Sequence, residues 1–407
     1  MNMKPMGKTM KHLLSMMAAL LILFYAALSC AQDWDDILKQ AQGQTVYFNA
    51  WGGSQAINDY ISWAAKEAKK EFGIKVVHVK VTDLGEVVSR VLVEKSTGRK
   101  DKGSVDLMWI NGENFKAMKK NHLLYGPFTQ KLPNYPLVDT ENKPTTLFDF
   151  TVPVDNMEAP WGMALLVFQY DTRRINMPPG SMEELLALAQ KHPGRVTYPA
   201  PPSFYGTTFI KQALLELTDT PDALNMPVSK ADFARVTAPL WRFLDRLNPL
   251  MWRKGKVFTK GAPAMKQLLN DSEIFISLSF NPNDAANAIA NGELPGSIRT
   301  YVHRSGTIGN THFLGIPYNA SAVEGAMVFA DFLLSPRAQA RKSDPEIWGD
   351  PTVLNLSRLT PGDRALFEKI AIPTASLPPA ALSKVLPEPH ASWVEALEKA
   401  WQIRYSK

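Results

Sequence analysis

The chain has 407 residues, 45 Lys and Arg against 39 Asp and Glu, and one cysteine. Three of those lysines (Lys4, Lys8 and Lys11) lie in the first 31 residues, so the rest carries 42 basic and 39 acidic groups, a charge of +3. That near balance, without a basic cluster interleaved with aromatics, argues against nucleic acid as a partner, and the single cysteine excludes a small disulfide scaffold.

The N-terminus reads first as a leader. Lys4, Lys8 and Lys11 precede an uncharged run over 13–28, which ends in Ser29-Cys30-Ala31. A basic segment, an apolar segment and small residues are the layout of a secretory signal. A membrane anchor is the alternative, since the run approaches spanning length, but the small residues at its end favour cleavage. Cutting after Ala31 leaves Gln32 first; lipoprotein processing leaves an acylated Cys30 first. Ala27 stands where a lipoprotein signal prefers leucine, which tips the reading towards ordinary cleavage. The expected location is the periplasm, with a membrane tether through Cys30 as the variant. About 375 residues then remain, enough for a large core and for two lobes.

Next comes a strand ending in "NAWGGS", then apolar residues at helical spacing: Ile57, Ile61, Ala64, Ala65, Ala68 and Phe72. Ser54 is the expected N-cap and Gly73 the C-cap. Ile74 to Val81 reads as a buried strand, and Asp83 with Glu86 as a capping box for a helix through Val87, Val88, Val91 and Leu92. A third strand over 104–110 leads into "NGENF" and another helix. This βαβαβα order predicts a parallel, helix-covered sheet. Ligands bind such sheets beyond the carboxyl ends of the strands. Two turns therefore become candidate binding positions: Asn49, Trp51, Gly52, Gly53 and Ser54 after the first strand, and Trp109, Asn111, Glu113 and Asn114 after the third. The glycines there let backbone N–H groups approach a bound molecule. Each turn alone is also an ordinary strand–helix connection.

Residues 121–160 are irregular and rich in proline, a reasonable junction between lobes. A strand over 163–175 follows, then a helix capped by Ser181 and Glu184 that closes at Pro193-Gly194. "TYPAPPSFYGTTF" gives a short strand, a proline loop and a helix start, with Tyr205, Gly206 and Thr207 as further candidates. Beyond it lie a helix, a strand, an Asn-Pro-Asn turn whose Asn281 reads as a structural cap, and another helix. Trp161 precedes the crossing strand, and Tyr318 and Asn319 follow a late strand before a helix that stops at Ser335-Pro336. No internal repeat is visible.

With "VYFNAWGGS", "VDLMWINGENF", "PWGMALLVFQYDTRRI", "TYPAPPSFYGTTF" and "GIPYNASAVEGAMVFADFLLSPRAQ" in this order, the chain resembles the solute-binding proteins of bacterial ABC importers. The resemblance spans roughly 45–345. The ending "LPEPHASWVEALEKAW" is similar to a YnjB-like subgroup. The type is the two-lobed one that serves for thiamine, iron, polyamines and sugars. It implies an α/β, two-lobed periplasmic binding protein fold, each lobe a helix-covered, mainly parallel sheet, joined by hinge strands. Carried over, lobe I is 33–158 with 309–345, and lobe II is 159–308 with the extension 346–407. The implied partners are a small-molecule solute and an inner-membrane permease with its ATPase. The protein is expected to act as a monomer without a cofactor.

Chemistry on the residues points the same way. The chain after Cys30 has no thiol nucleophile, no HExxH and no Walker A loop. His303 and His312 stand too far apart in sequence to signal a metal by themselves. Gly52-Gly53-Ser54-Gln55-Ala56 misses the nucleophile elbow, which needs glycine in place of Ala56. A secreted hydrolase using paired carboxylates remains as the rival class. No catalytic residue and no metal ligand is assigned. Trp51, Trp109, Trp161 and Tyr205 near Glu113 or Glu158 suit a cationic, partly planar solute, thiamine-like or an amine. Sugars and oxyanions stay open, as does ferric iron through the tyrosines of "TYPAPPSFY". Mass spectrometry of the exported protein is expected to find Gln32, or an acylated Cys30, at its N-terminus; an intact Met1 there overturns the leader reading.

Overall fold

A computed structural model describes residues 34–382 and 384–406. The leader expected over 1–31, with both its cleavage positions, lies outside the described residues. After a short helix α1 (34–41), strand β1 (Thr45–Trp51) leads into helix α2 (Gln55–Phe72). Ile57, Tyr60, Ile61, Ala64 and Ala68 fall on one face of α2 and are buried. Gly73 ends it in the left-handed region at φ 70°, its N–H bonded to the Lys69 carbonyl. β2 (Lys75–Val81), α3 (Leu84–Ser96), β3 (Leu107–Ile110) and α4 (Glu113–Lys120) complete the first run. Asp83 caps α3 by accepting from the Gly85 N–H. β1 pairs in parallel with both β2 and β3. β2 is the edge strand and mostly half-buried, not the fully buried strand its composition predicts.

A small hairpin, β4 (Phe148–Asp149) and β5 (Val152–Pro153), precedes the passage between lobes. The single strand expected over 163–175 is in fact two, β6 (Glu158–Leu165) and β7 (Val167–Asp171). β6 belongs to the first sheet, paired along its length with β10 (Thr307–Gly315), whereas β7 lies in the second sheet between β8 (Ile276–Ser279) and β9 (Ile298–Tyr301). The chain therefore changes sheets at Leu166, several residues later than the 158/159 boundary read from the sequence. Backbone bonds hold that point from both sides, Leu165 N–H to Phe280 O at 3.0 Å and Leu166 N–H to Ile308 O at 2.9 Å. β7 runs against both neighbours because it enters straight from the first lobe, and β8 and β9 are parallel to each other.

The second lobe also holds α5 (Met182–Lys191), α6 (Phe204–Leu217), α7 (Phe233–Leu247), α8 (Ala262–Asn270) and α9 (Asp284–Ala290). The Ser181 cap forms as expected, accepting from Glu184 N–H at 3.2 Å, while Glu184 reaches back to the Gly180 N–H. β10 returns the chain to the first lobe, followed by α10 (Val323–Leu334) and α11 (Pro336–Ser343).

The C-terminal extension does not join one lobe, as the sequence reading has it. Trp348, Val353, Leu354 and Leu359 sit in the first core, and α12 (Pro361–Glu368) follows on that side through Phe367. The chain then crosses: β11 (Val385–Leu386) pairs with the start of β10, and α13 (Ser392–Tyr405) buries Trp393, Leu397 and Trp401 in the second core. Each half carries apolar residues that only the nearer core can cover.

Where the extension meets the first core, Lys342, Asp350 and His312 form a buried polar group. Lys342 Nζ lies 2.5 Å from one Asp350 oxygen and His312 Nε2 lies 3.1 Å from the other. Burial alone would push the Asp350 carboxyl up, but the Lys342 and His312 charges outweigh it and hold it below its usual range. Gly162 is flat against this group, since a Cβ there would collide with Asp350. Asp350→Asn strands the Lys342 ammonium in the interior and is expected to cost about 3–5 kcal/mol of stability in chemical denaturation. A loss below about 1 kcal/mol, the surface-pair range, would show that the pair is hydrated.

Candidate ligand-binding cleft

Because β10 is antiparallel to both β3 and β6, the strands β1, β2, β3 and β6 all run one way. Their carboxyl ends face the crossing at Leu166, and so do the turns into α2 and α4. Both candidate turns of the first lobe are thus brought to one end of the sheet. Tyr318 and Asn319 are not. They follow the carboxyl end of an antiparallel strand and so lie at the amino end of β3. There the Tyr318 hydroxyl donates to the Arg99 carbonyl at 2.6 Å, and Asn319 Nδ2 donates to buried Glu94 at 2.8 Å. The sequence reading assigned them to the ligand site without the direction of this late strand, which runs antiparallel to β3 and delivers them to the opposite end of the sheet.

At the first turn, Asn49 is fully buried within β1 and Trp51 is half-buried at its end. The two glycines make room for the chain's own side chains. A Cβ on Gly53 would strike the Trp51 indole, and one on Gly52 would meet Lys80. The Gly52 carbonyl accepts from Asn58 Nδ2 at 3.1 Å. Ser54 is extended at the N-cap, but its side chain makes no capping bond.

At the second turn, Asn111 and Asn114 are half-buried and Glu113 is exposed. Gly112 has φ 62° and ψ −130°, and its N–H points at both carboxylate oxygens of Asp149, at 2.7 and 2.8 Å. Asp149 comes from the β4–β5 hairpin, so a carboxylate of the chain itself fills the N-terminus of α4. Trp109 and Trp161 lie behind this turn in an aromatic cluster. Trp161 is fully buried, 5.0 Å from Trp109 and 5.4 Å from Trp348, with His312 4.8 Å from Trp109.

From the second lobe, Tyr205 is half-buried against Phe280, ring centroids 4.8 Å apart. Burial drives its hydroxyl pKa upward, so it stays a neutral donor. Gly206 lets α6 start directly against the Pro199 backbone, where a Cβ would not fit. Thr207 is buried and its hydroxyl donates to Glu398 of α13 at 2.6 Å.

Of the charged groups here, the sequence reading names Glu113 and Glu158 but not Asp149, Lys211, Glu388 or Glu398. Asp149 and Glu113 of the first lobe meet Glu388 and Glu398 of the second. Burial pushes the Asp149 carboxyl well above its usual range; the Gly112 N–H opposes this, while Glu113 and Glu388 add to it. Glu398 is raised by burial and by Glu113, against the Thr207 hydroxyl. Beneath Asp149, Glu158 is fully buried with neither oxygen hydrogen-bonded, and burial and the Asp149 charge raise it well above normal. One buried cation answers them. Lys211 of α6 lies 2.5 Å from Glu388 and 4.8 Å above the Phe150 ring. A visible signal existed for this residue, a lysine inside the apolar run Phe209 to Leu214.

Residues 63–361 match the family described as bacterial extracellular solute-binding protein. The chain is 45% identical over 385 residues to Protein YnjB of Escherichia coli (strain K12), covering 95% of this chain and 97% of that one. Among solved structures, the spermidine/putrescine ABC transporter substrate-binding protein PotD of Streptococcus pneumoniae is similar in fold. It has a TM-score of 0.63 at 15% identity, over 89% of this chain and 98% of that one. The periplasmic binding protein AfuA of Actinobacillus pleuropneumoniae gives 0.61 at 14%, over 89% and 99%. With two α/β lobes around an acidic cleft and a family match over most of its length, the chain belongs to the bacterial extracellular solute-binding proteins.

Proposed function

We propose that this binding protein captures a small cationic solute, an amine, between its lobes in the periplasm, as a monomer, and hands it to an inner-membrane ABC permease driven by its ATPase. The observation that carries the reading is the meeting of carboxylates from both lobes, Glu113 and Asp149 against Glu388 and Glu398, with Lys211 as the buried cation among them. Like charges facing across a cleft repel, and a bound cation turns the repulsion into attraction to both lobes. Phe150 and Tyr205 add aromatic surface at the same place.

Other ligand classes fit less well. An oxyanion at the start of α4 would meet Asp149, which already accepts from the Gly112 N–H. Ferric iron through the tyrosines of "TYPAPPSFY" fits poorly, since Tyr198 is buried in the second core with its hydroxyl donating to Asn248 at 3.0 Å. The fold itself is neutral on this point: PotD is named for spermidine and putrescine, whereas AfuA was solved with fructose-6-phosphate. Retention without turnover agrees with a family of binding proteins.

Isothermal titration with 1,4-diaminobutane, n-butylamine, thiamine, glucose and fructose-6-phosphate tests the reading. Amines or thiamine are expected to bind, and the two sugars to bind weakly or not at all. A cation needs ionised carboxylates, and those of Asp149 and Glu398 are raised. Affinity should therefore fall as pH drops through these raised values, above the range of an ordinary carboxylate near 4. Glu398→Gln should weaken amine binding by about 1–3 kcal/mol. Tight binding of the sugar phosphate, with no response to any amine, would exclude the proposal.

A further inference from the structure

Lys211 is more than a counter-ion for a buried acid. Its ammonium is held in a box of two parts that recognise an alkylammonium, a carboxylate and an aromatic face, with a third residue bracing the carboxylate. The Glu388 carboxylate is 2.5 Å away, the Phe150 face lies beneath it at 4.8 Å, and Asn310 Nδ2 approaches the other Glu388 oxygen at 3.5 Å. Asn310 is 3% exposed, and its Oδ1 is buried without a hydrogen-bond partner. The box is assembled from separate parts of the fold: α6 of the second lobe, the β4–β5 hairpin of the first, the crossing strand β10 and the extension just after β11. The remaining carboxylates adjoin it: Phe150 follows Asp149 in the hairpin, and Thr207, one turn before Lys211 on α6, donates to Glu398 at 2.6 Å.

We infer that Lys211 is a tethered ammonium filling one of two cation subsites in the cleft, so that the solute brings a single positive charge and Lys211 fixes that count. The inference rests on the cationic-solute reading above and adds to it a specificity residue and a charge class. The free subsite, bounded by Glu113, Asp149 and Glu398, takes the cationic end of the solute. A diamine would need a second acidic partner, and Lys211 already holds it. Replacing the ammonium without filling the space should therefore convert a monocation site into a dication site.

Two variants and two readouts test this. Lys211→Ala truncates the side chain beyond Cβ, and the missing portion has the size and charge of propylammonium. Propylammonium chloride should raise the melting temperature of Lys211→Ala well beyond its effect on the wild type, and sodium chloride should not. Lys211→Met fills the space without a charge and should show no such rescue. By calorimetric titration, the affinity ratio of 1,4-diaminobutane to n-butylamine should rise by about tenfold or more from wild type to Lys211→Ala, because a buried acid left unpaired gains a partner. If Lys211→Ala folds only when refolded in propylammonium, the box is confirmed. If it folds in neither salt, or folds with no rescue and an unchanged ratio, the inference is overturned. Rescue of Lys211→Ala by propylammonium while the wild type binds no amine would retain the box and refute the cationic-solute reading instead.

Discussion

The direction of β10 is the constraint on which the rest of the structure depends. It pairs antiparallel with β3 and β6, and its first residues pair in parallel with β11. β6 and β10 reach past the end of β3, so together they carry the first sheet outward to the second lobe. With β10 reversed, every neighbour that runs the other way ends at the crossing. Helix N-termini then collect on the cleft side, and helix C-termini with their carbonyls on the far side. A cleft built from helix N-termini would by default attract anions. At α4 that attraction is met within the chain, because Asp149 satisfies the Gly112 N–H with both carboxylate oxygens. On the proposed cationic-solute reading, the hairpin that delivers Asp149 changes the sign of the ligand favoured at that helix end.

Burial then makes that sign matter. A carboxylate in water gains little from a neighbouring charge, whereas a buried one lacks the screening and hydration that stabilise it. Asp149 and Glu158 are almost fully buried and raised, Glu398 is half-buried and raised, and Glu388 is spared an unpaired charge only by Lys211. Burial makes Asp149, Glu158 and Glu398 favour their protonated forms more than exposed carboxylates do. On the proposed reading, an arriving cation favours the ionised forms of acids from both lobes, so both contribute to holding it.

Much of the outline was legible because it rests on local patterns. The spacing in α2, the Gly73 stop, the Asp83 and Ser181 caps and the order of the first strands all follow from period and cap chemistry. The cleft was legible only in part. Strand–turn–helix signatures identify Trp51 to Ser54 and Asn111 to Asn114, but they say nothing of strand direction, so Tyr318 and Asn319 were assigned to the wrong end. Composition also cannot tell a tryptophan lining a cleft from one packed behind it, and Trp161 proves to be interior. Glu388 and Glu398 both lie in the ending "LPEPHASWVEALEKAW", but nothing in its pattern places them near Asp149, far earlier in the chain. Only the crossing of the extension from one core to the other brings them together.

That extension also limits how the lobes can move. A two-strand hinge would leave the crossing segments at Leu166 and at the start of β10 as the flexible points. Here a third segment crosses beside them: Thr300 N–H bonds to Ala375 O, and Thr307 N–H bonds to Lys384 O. On the first-lobe side, the Trp348 carbonyl accepts from Asn281 at 2.6 Å and from Asn287 at 2.7 Å, and the Gly349 carbonyl accepts from Asn283 at 2.6 Å. These three amides belong to the second lobe. Gly349 is at φ 76°, where a Cβ would collide with the Asn283 side chain, so the loop approaches the turn as closely as backbone allows. The Trp348 ring is seated in the first core while its carbonyl is held by the second lobe, so any rotation large enough to break these amide bonds must strain that seat or move the loop with the second lobe. Asn281 stands beside the crossing, since Leu165 N–H bonds the neighbouring Phe280 carbonyl at 3.0 Å. These amide ties therefore lie close to the point where the chain changes sheets, and a rotation about that point strains them least.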